Sequence, residues 1–362
     1  MITGLDHVVA LVRDIGAAKA AYQTLLARAP AWQNSGEGAD RVLFTLENMT
    51  IELMAPSGFS VTADRMRALL DDQEGVLASL CFRVADMSRM QRRLQRVALS
   101  PDPVAEVESS DDESGAVLHW KRTRAATELT RGVRMFFLEL ADERPLSPAT
   151  DIAPIDALDH VVVTTEDSER AAALYGARLG LDLALDRSHQ DWGQLMFFRC
   201  GDLIVEVVRR PVAGGDLAHD RLWGLSWRVA DIDATRARLI AAGLDVTEVR
   251  NGRKPGHANH DGAQRHLRHS DGPAGALAEA GGVKAPLSPF EDSHRVGKAK
   301  RAHVFAQLMR RRGHGARAPL PTLRNRLARL SLSRNYAAGC PRVTRVPTAP
   351  SEHPVWRRQS EL

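Results

Sequence analysis

The chain has 362 residues, of which 44% are hydrophobic and 26% charged, an ordinary globular balance that excludes disorder throughout, collagen-like sequence and a disulfide scaffold. Its apolar runs are strand-sized, far from the roughly 20 residues a membrane-spanning helix needs. The net charge of +4 is an average: residues 257–362 hold 19 Lys/Arg against 7 Asp/Glu, whereas residues 1–256 hold 30 against 38, so a basic nucleic-acid-binding reading of the whole chain is excluded.

In chain order, Asp6–Val12 is a short β-branched run and predicts a strand. Asp14 precedes the helix formers Ala17–Leu26. Val42–Leu46 and Thr50–Met54 are strand-sized, with Glu47-Asn48 as a hairpin turn, and Pro56 closes the unit. A further strand ends at Val84-Ala85-Asp86, a helix follows over 88–96, and Val117–Trp120 and Arg134–Leu140 predict two more strands. Pro145-Leu146-Ser147-Pro148 and Pro154 mark a linker.

The pattern then repeats. Gly4–Tyr22 matches Ala157–Tyr175 at nine of 19 ungapped positions, including Leu5-Asp6-His7-Val8-Val9 against Leu158-Asp159-His160-Val161-Val162. Ile51-Glu52-Leu53 corresponds to Val205-Glu206-Val207. Ser79–Asp86 matches Gly224–Asp231, at an offset of 145 rather than 153. The predicted elements of the second copy are a strand over 158–165, a helix over 168–178, strands over 194–199 and 203–209, and a helix over 233–242. The order is A, B, A′, B′, each unit the size of one βαβββ module. The fold class is therefore α+β, with tandem paired modules: a first domain over 1–145 (modules 4–56 and 77–142) and a second over 154–256 (module 156–211 and an incomplete module 221–256).

The Asp-His-Val-Val opening strand, the helix ending in Tyr and the Ile-Glu-Leu closing strand resemble the vicinal oxygen chelate superfamily, over about residues 4–256. Glyoxalase I, extradiol dioxygenases and bleomycin-resistance proteins belong to it. The resemblance implies glyoxalase/dioxygenase-like open barrels, each a cup for a metal and a small substrate. It also implies that the first module of a cup supplies a His and a Glu, here His7 with Glu52 and His160 with Glu206. The partner module would add a His or Gln and a Glu. Ser79 and Gly224 fall near the first of those places, and neither is a good metal ligand. Glu139 is the candidate last-strand carboxylate, giving His7, Glu52 and Glu139 as a metal set with Glu139 as the catalytic carboxylate. Such nitrogen and oxygen donors suit a divalent metal: Fe, Mn, Ni or Zn. The competing reading is that Asp-His persists as a packing feature and that the Glu pairs with an arginine such as Arg41 or Arg199.

Within His119-Trp120-Lys121-Arg122, His119 and Lys121 are candidate substrate-binding residues; the alternative is a strand with one exposed cationic face. His189, Asp191 and Trp192 form either a rim or a solvated loop. Cys81 and Cys200 read as small core residues. No Gly-rich phosphate loop follows a strand. The expected partner is a small-molecule substrate or ligand, bound by a glyoxalase/dioxygenase-like enzyme or by a metal-free drug-sequestering protein, with a homodimer as the expected assembly. The start of the chain shows no secretory signal and the cysteines form no CxxC pair, so the expected location is the cytoplasm.

Beyond Gly256 the periodicity stops while B′ still lacks two strands. The segment 257–362 reads as a basic, disordered tail whose only nucleic-acid affinity is non-specific. Back-translated from His257 and read one nucleotide later, favourable codons give TPIMTVRNGTCGIPTVLLVL, which ends as an apolar strand. Val283-Lys284 then encodes a stop for two of the four valine codons. The tail is accordingly expected to be either a frame-shifted product or a genuine basic extension.

Overall fold

The computed structural model describes residues 1–189, 193–209, 219–251, 302–306 and 330–334. The first half runs β1 (Ile2–Val12), α1 (Ile15–Leu26), β2 (Trp32–Gly36), β3 (Ala39–Thr45), β4 (Thr50–Pro56), α2 (Val61–Leu70), β5 (Gly75–Val84), α3 (Met87–Arg96), β6 (Ala105–Ser110), β7 (Val117–Arg124) and β8 (Arg134–Leu140). Its eight strands form one sheet in the order β2-β3-β4-β1-β5-β8-β7-β6. The second half runs β9 (Ile155–Thr165), α4 (Ser168–Ala172) continued by a π-helical turn over Ala173–Arg178, β10 (Asp182–His189), β11 (Gly193–Cys200), β12 (Leu203–Arg209), β13 (Arg221–Val229), α5 (Ile232–Ala241), β14 (Val246–Asn251), β15 (Ala302–Ala306) and β16 (Leu330–Arg334). Its sheet has the order β10-β11-β12-β9-β13-β15-β16-β14. No helix among the described residues is long and apolar enough to cross a membrane.

The duplication is visible in the pairing. β1 lies between β4, parallel, and β5, antiparallel, and β9 lies likewise between β12 and β13. Helices start where the sequence places acceptors: the side chains of Asp14, Ser60, Asp86, Asp167 and Asp231 each take a backbone N–H of the first turn. The helix α2 was not anticipated. It occupies part of an 18-residue stretch between β4 and β5, where the second half has 11 residues between β12 and β13.

Two features of the second half differ from the sequence reading. Strands β15 and β16 come from the segment expected to be a tail without regular structure, and they stand between β13 and β14, where the missing strands belong. They also arrive in another sense: β8 is parallel to β5, but β15 is antiparallel to β13. The altered frame over 257–282 lies outside the described residues, as do Asp191, Trp192 and the side chain of His189.

One continuous core joins the halves, running from Leu5, Phe44, Phe82 and Phe137 to Leu158, Tyr175, Phe198 and Trp227. Around it, arginines and one asparagine stitch the backbones together. Arg28 donates to the Ser147 carbonyl at 2.8 Å and the Ile155 carbonyl at 2.7 Å. Arg238 donates to the Leu25 carbonyl at the end of α1, 3.0 Å away. Asn48, in the predicted hairpin turn, both donates to the carbonyl and accepts from the N–H of Leu158. The strand faces turned away from the shared core form the concave interiors of the two sheets.

Gly201 marks a close backbone-to-backbone approach between the halves. It holds φ +66°, and a Cβ there would stand 3.0 Å from the Thr3 carbonyl and 3.1 Å from the Gly4 Cα, both backbone atoms. Gly201→Ala combines a left-handed conformation with a clash that backbone alone must relieve, and is expected to cost about 1–3 kcal/mol in urea denaturation of the whole chain.

Candidate functional site

In the first half, His7 and Glu52 are brought together by the β1–β4 pair. The register sets His7 beside Thr50 and Val9 beside Glu52, and alternation turns His7, Val9, Glu52 and Met54 to the cup. The His7 Nε2 lies 3.1 Å from Glu52 Oε2, and Arg41 Nε lies 3.7 Å from Glu52 Oε1. On the other side of the ring, His7 Nδ1 is 2.7 Å from Asp6 Oδ2. A register shift between Leu5 and His7 allows neighbours on one strand to meet in this way. Asp6 is fully buried and also accepts from Arg144 at 2.8 Å and Arg83 at 3.2 Å. Arg144 in turn lies 5.8 Å over the Trp120 ring.

The charges follow from these neighbours. Burial pushes Asp6 up, but His7, Arg144 and Arg83 outweigh it and hold its carboxyl well below the usual carboxylate range. Burial pushes the His7 imidazole down, yet Cys81, Asp6 and Glu52 together raise it well above its ordinary value. Burial pushes Glu52 up, and His7 followed by Arg41 and Arg144 brings it below its ordinary value.

The second half repeats the pair with different surroundings. His160 Nε2 stands 3.0 Å from Glu206 Oε2, and His160 Nδ1 is 2.9 Å from Asp159. Burial lowers the His160 pKa, but Glu206 and Asp159 push it up to about 10. Leu43 pairs with Glu52 and Phe197 with Glu206, so Leu195 is the counterpart of Arg41. The pair therefore faces Val162, Leu195, Val208 and Trp223 in place of a guanidinium. His160 Nε2 and Glu206 Oε2 are both buried and face each other as an ion pair.

Glu139 does not join His7 and Glu52. On β8, Phe136, Leu138 and Leu140 pack in the cup while Met135 and Phe137 enter the shared core. Glu139 follows the second set: it accepts the Met87 N–H at the start of α3 and lies 3.8 Å from Lys121. The proposed metal set, and the catalytic role for Glu139, are corrected accordingly. His119 and Lys121 are corrected for the same reason. Leu118 and Trp120 face the cup, while the His119 ring reaches Asp142 at 3.2 Å on the outer face and Lys121 reaches Glu139. Cys81 and Cys200 are buried and free.

The β1–β5 register also identifies the remaining cup positions. His7 pairs with Cys81 and Val9 with Ser79, so the local two-fold of the strand pair carries His7 onto Ser79 and Val9 onto Cys81. Glu52 stands beside Val9 and Phe136 beside Cys81, so the same operation carries Glu52 onto Phe136. The places where a second ligand pair would stand are thus filled by a hydroxyl and a phenyl ring. Sites with open coordination positions generally use about three protein ligands. Among the described residues no group of three His, Cys, Asp or Glu side chains is arranged to hold a metal ion. With Arg41 beside Glu52 as well, the first cup does not fit a resident metal ion.

A glyoxalase-like domain family matches residues 5–155, and the glyoxalase/bleomycin resistance protein/dioxygenase superfamily matches residues 159–261. The chain belongs to the vicinal oxygen chelate superfamily. Among solved structures, a mutant 4-hydroxymandelate synthase from Streptomyces coelicolor is 14% identical over 94% of this chain and 95% of its own, with a TM-score of 0.53. That likeness is one of fold. Methylmalonyl-CoA epimerase from Mycobacterium tuberculosis is 24% identical over 39% of this chain and 90% of its own, at a TM-score of 0.32. A hypothetical protein from Staphylococcus aureus is 12% identical over 57% and 86%, at 0.41. No curated protein matches the chain.

Two stability predictions separate these roles. Asp6→Ala strands the buried Arg144 charge and is expected to cost about 3–5 kcal/mol. The folded Asp6 pKa lies below its unfolded value of about 3.9, so its contribution is present above that value and fades as the pH falls through the folded one. Denaturation below about pH 4 should therefore weaken the parent protein more than the Asp6→Ala variant. Glu139→Ala should cost only about 1 kcal/mol, the value of a lost helix-terminal acceptor, with no change in ligand or metal uptake.

Proposed function

We propose that this is a glyoxalase/dioxygenase-like protein whose first cup takes a small molecule without a resident metal. The observation that carries the reading is the replacement of the second ligand pair by Ser79 and Phe136 opposite His7 and Glu52. Phe136, Trp120, Met54 and Leu140 supply partly buried apolar walls. Glu52 keeps 14% of its side chain exposed, so a ligand in the cup can reach it. The polar contact is then the His7–Glu52 pair. Asp6 orients the imidazole through Nδ1, and Nε2 faces the Glu52 carboxylate at 3.1 Å. The chemistry open to such a pair is to hold, take or return a proton on the bound molecule. A binding protein that sequesters its ligand uses the same contacts without turnover.

A second reading belongs to the second cup. His160 Nε2 and Glu206 Oε2 stand 3.0 Å apart, a nitrogen and an oxygen donor side by side in apolar surroundings. They would hold a divalent metal such as Fe, Mn, Ni or Zn, with its remaining positions left to water or ligand.

One titration addresses both. The full chain, stripped by chelator, is titrated with Mn, Fe, Ni and Zn, and bound metal is counted by elemental analysis. The expected result is no stoichiometric metal that depends on His7 and Glu52. One equivalent abolished by both His7→Ala and Glu52→Ala would sink the metal-free first cup. One equivalent abolished only by His160→Ala and Glu206→Ala supports the second reading.

A further inference from the structure

The wall of the first cup opposite His7 and Glu52 carries an excess of guanidinium groups. Arg134 opens β8 in register with Ser79, and alternation from Phe136 and Leu138 turns it to the cup. It is half-buried, and no acidic residue pairs with it among the described residues. On the neighbouring strand, Arg122 pairs with Leu138, and its guanidinium lies 5.5 Å over the Phe136 ring. Arg124 pairs with Phe136 and is held by Asp102 at 3.0 Å. Arg65 comes from α2, whose Met66 and Leu70 pack on Val9 and Leu11 over the same cup. The crowding is felt electrostatically: Arg134 is lowered first by its burial and then by Arg124 and Arg65.

A buried or half-buried cation normally has a counter-charge, because removing it from water costs free energy that a partner must offset. Here Asp102 answers one guanidinium and no described carboxylate answers Arg134. Arg134 and Arg122 stand on either side of Phe136 on the same wall, one without a counter-charge among the described residues and one stacked on the ring, and both offer planar donors suited to the oxygens of one anion. We propose that Arg134 and Arg122 form an oxyanion subsite in the first cup, which takes the phosphate or carboxylate group of the small molecule bound there. The proposal rests on the small-molecule reading of that cup and names its ligand class: an anion with an apolar body. The body lies along Phe136 and Trp120, and the opposite end is presented to Glu52.

The test is calorimetry on the full chain at constant ionic strength, using inorganic phosphate and, separately, succinate as probes. Saturable binding of at least one probe is expected. Arg134→Met should weaken it about tenfold or more, as loss of a charge-assisted hydrogen bond does. Arg122→Ala should weaken it several-fold, and Arg134→Lys should recover part of the loss by restoring charge without the planar donors. Preference for phosphate assigns a phosphate ester, and preference for succinate assigns a carboxylate. Absence of saturable binding overturns the proposal. So does unchanged affinity in a folded Arg134→Met variant, the result expected if the basic 257–362 segment holds the anion. Should Arg134→Met fail to fold, the exposed Arg122 carries the test by the same criterion. Metal uptake by His7 and Glu52 is read in a different experiment, so failure of the metal-free cup and failure of the arginine subsite are distinguished.

Discussion

Parallel pairing of β1 with β4 is the constraint from which the site follows. It sets Glu52 beside Val9, two residues beyond His7, and strand alternation puts all three on the concave face. A carboxylate at that offset reaches back to the imidazole, which yields the 3.1 Å contact. The bulge before His7 then lets Asp6 meet the other ring nitrogen, and the buried Asp6 gathers Arg83 and Arg144. The chain of charges from Glu52 to Arg144 thus depends on one strand register. A one-residue slip would turn His7 into the core.

The two halves share this frame and diverge in what surrounds it. Arg41 beside Glu52 is replaced by Leu195 beside Glu206. Asp6 is sealed in by two arginines, whereas Asp159 is part-exposed and has Arg228 at 3.7 Å. The first cup is therefore a charged site with cations on two walls, and the second an apolar one around an imidazole–carboxylate pair. The closing strands diverge furthest. β8 follows the parallel sense that the internal symmetry requires, while β15 runs the other way beside β13. The second cup thus has a different third wall: the earlier closing strand, β15, lies beside β13, where in the first half the last strand, β8, lies beside β5.

The halves do not stand as independent beads. Their helix-facing sides merge into one core, and the arginines at the seam bond backbone carbonyls across it. A carbonyl accepts wherever the backbone runs, so such contacts fix position without demanding a particular partner side chain. Gly201 against Thr3 and Gly4 adds a steric limit to the same seam. The cups face away from it, and their polar pairs are held by strands rather than by loops, which keeps their geometry rigid.

The sequence by itself determined the duplication, the α+β class and the two His/Glu pairs, because short β-branched runs and acidic helix caps are local signals and repetition doubles each of them. Arg41 was legible as the partner of Glu52, since buried carboxylates need a cation nearby. The tertiary structure alone decided which face of β7 and β8 looks into the cup. In Met135-Phe136-Phe137-Leu138 both faces are apolar, so the period of two carries no phase, and Glu139 reads equally well as a ligand or a helix cap. The pairing of β8 with β5 fixes that phase: it turns Glu139 outward with His119 and Lys121, and turns Phe136 and Arg134 inward. Burial of both sheet faces erases the alternation that would have revealed this, and only the partner strand restores it.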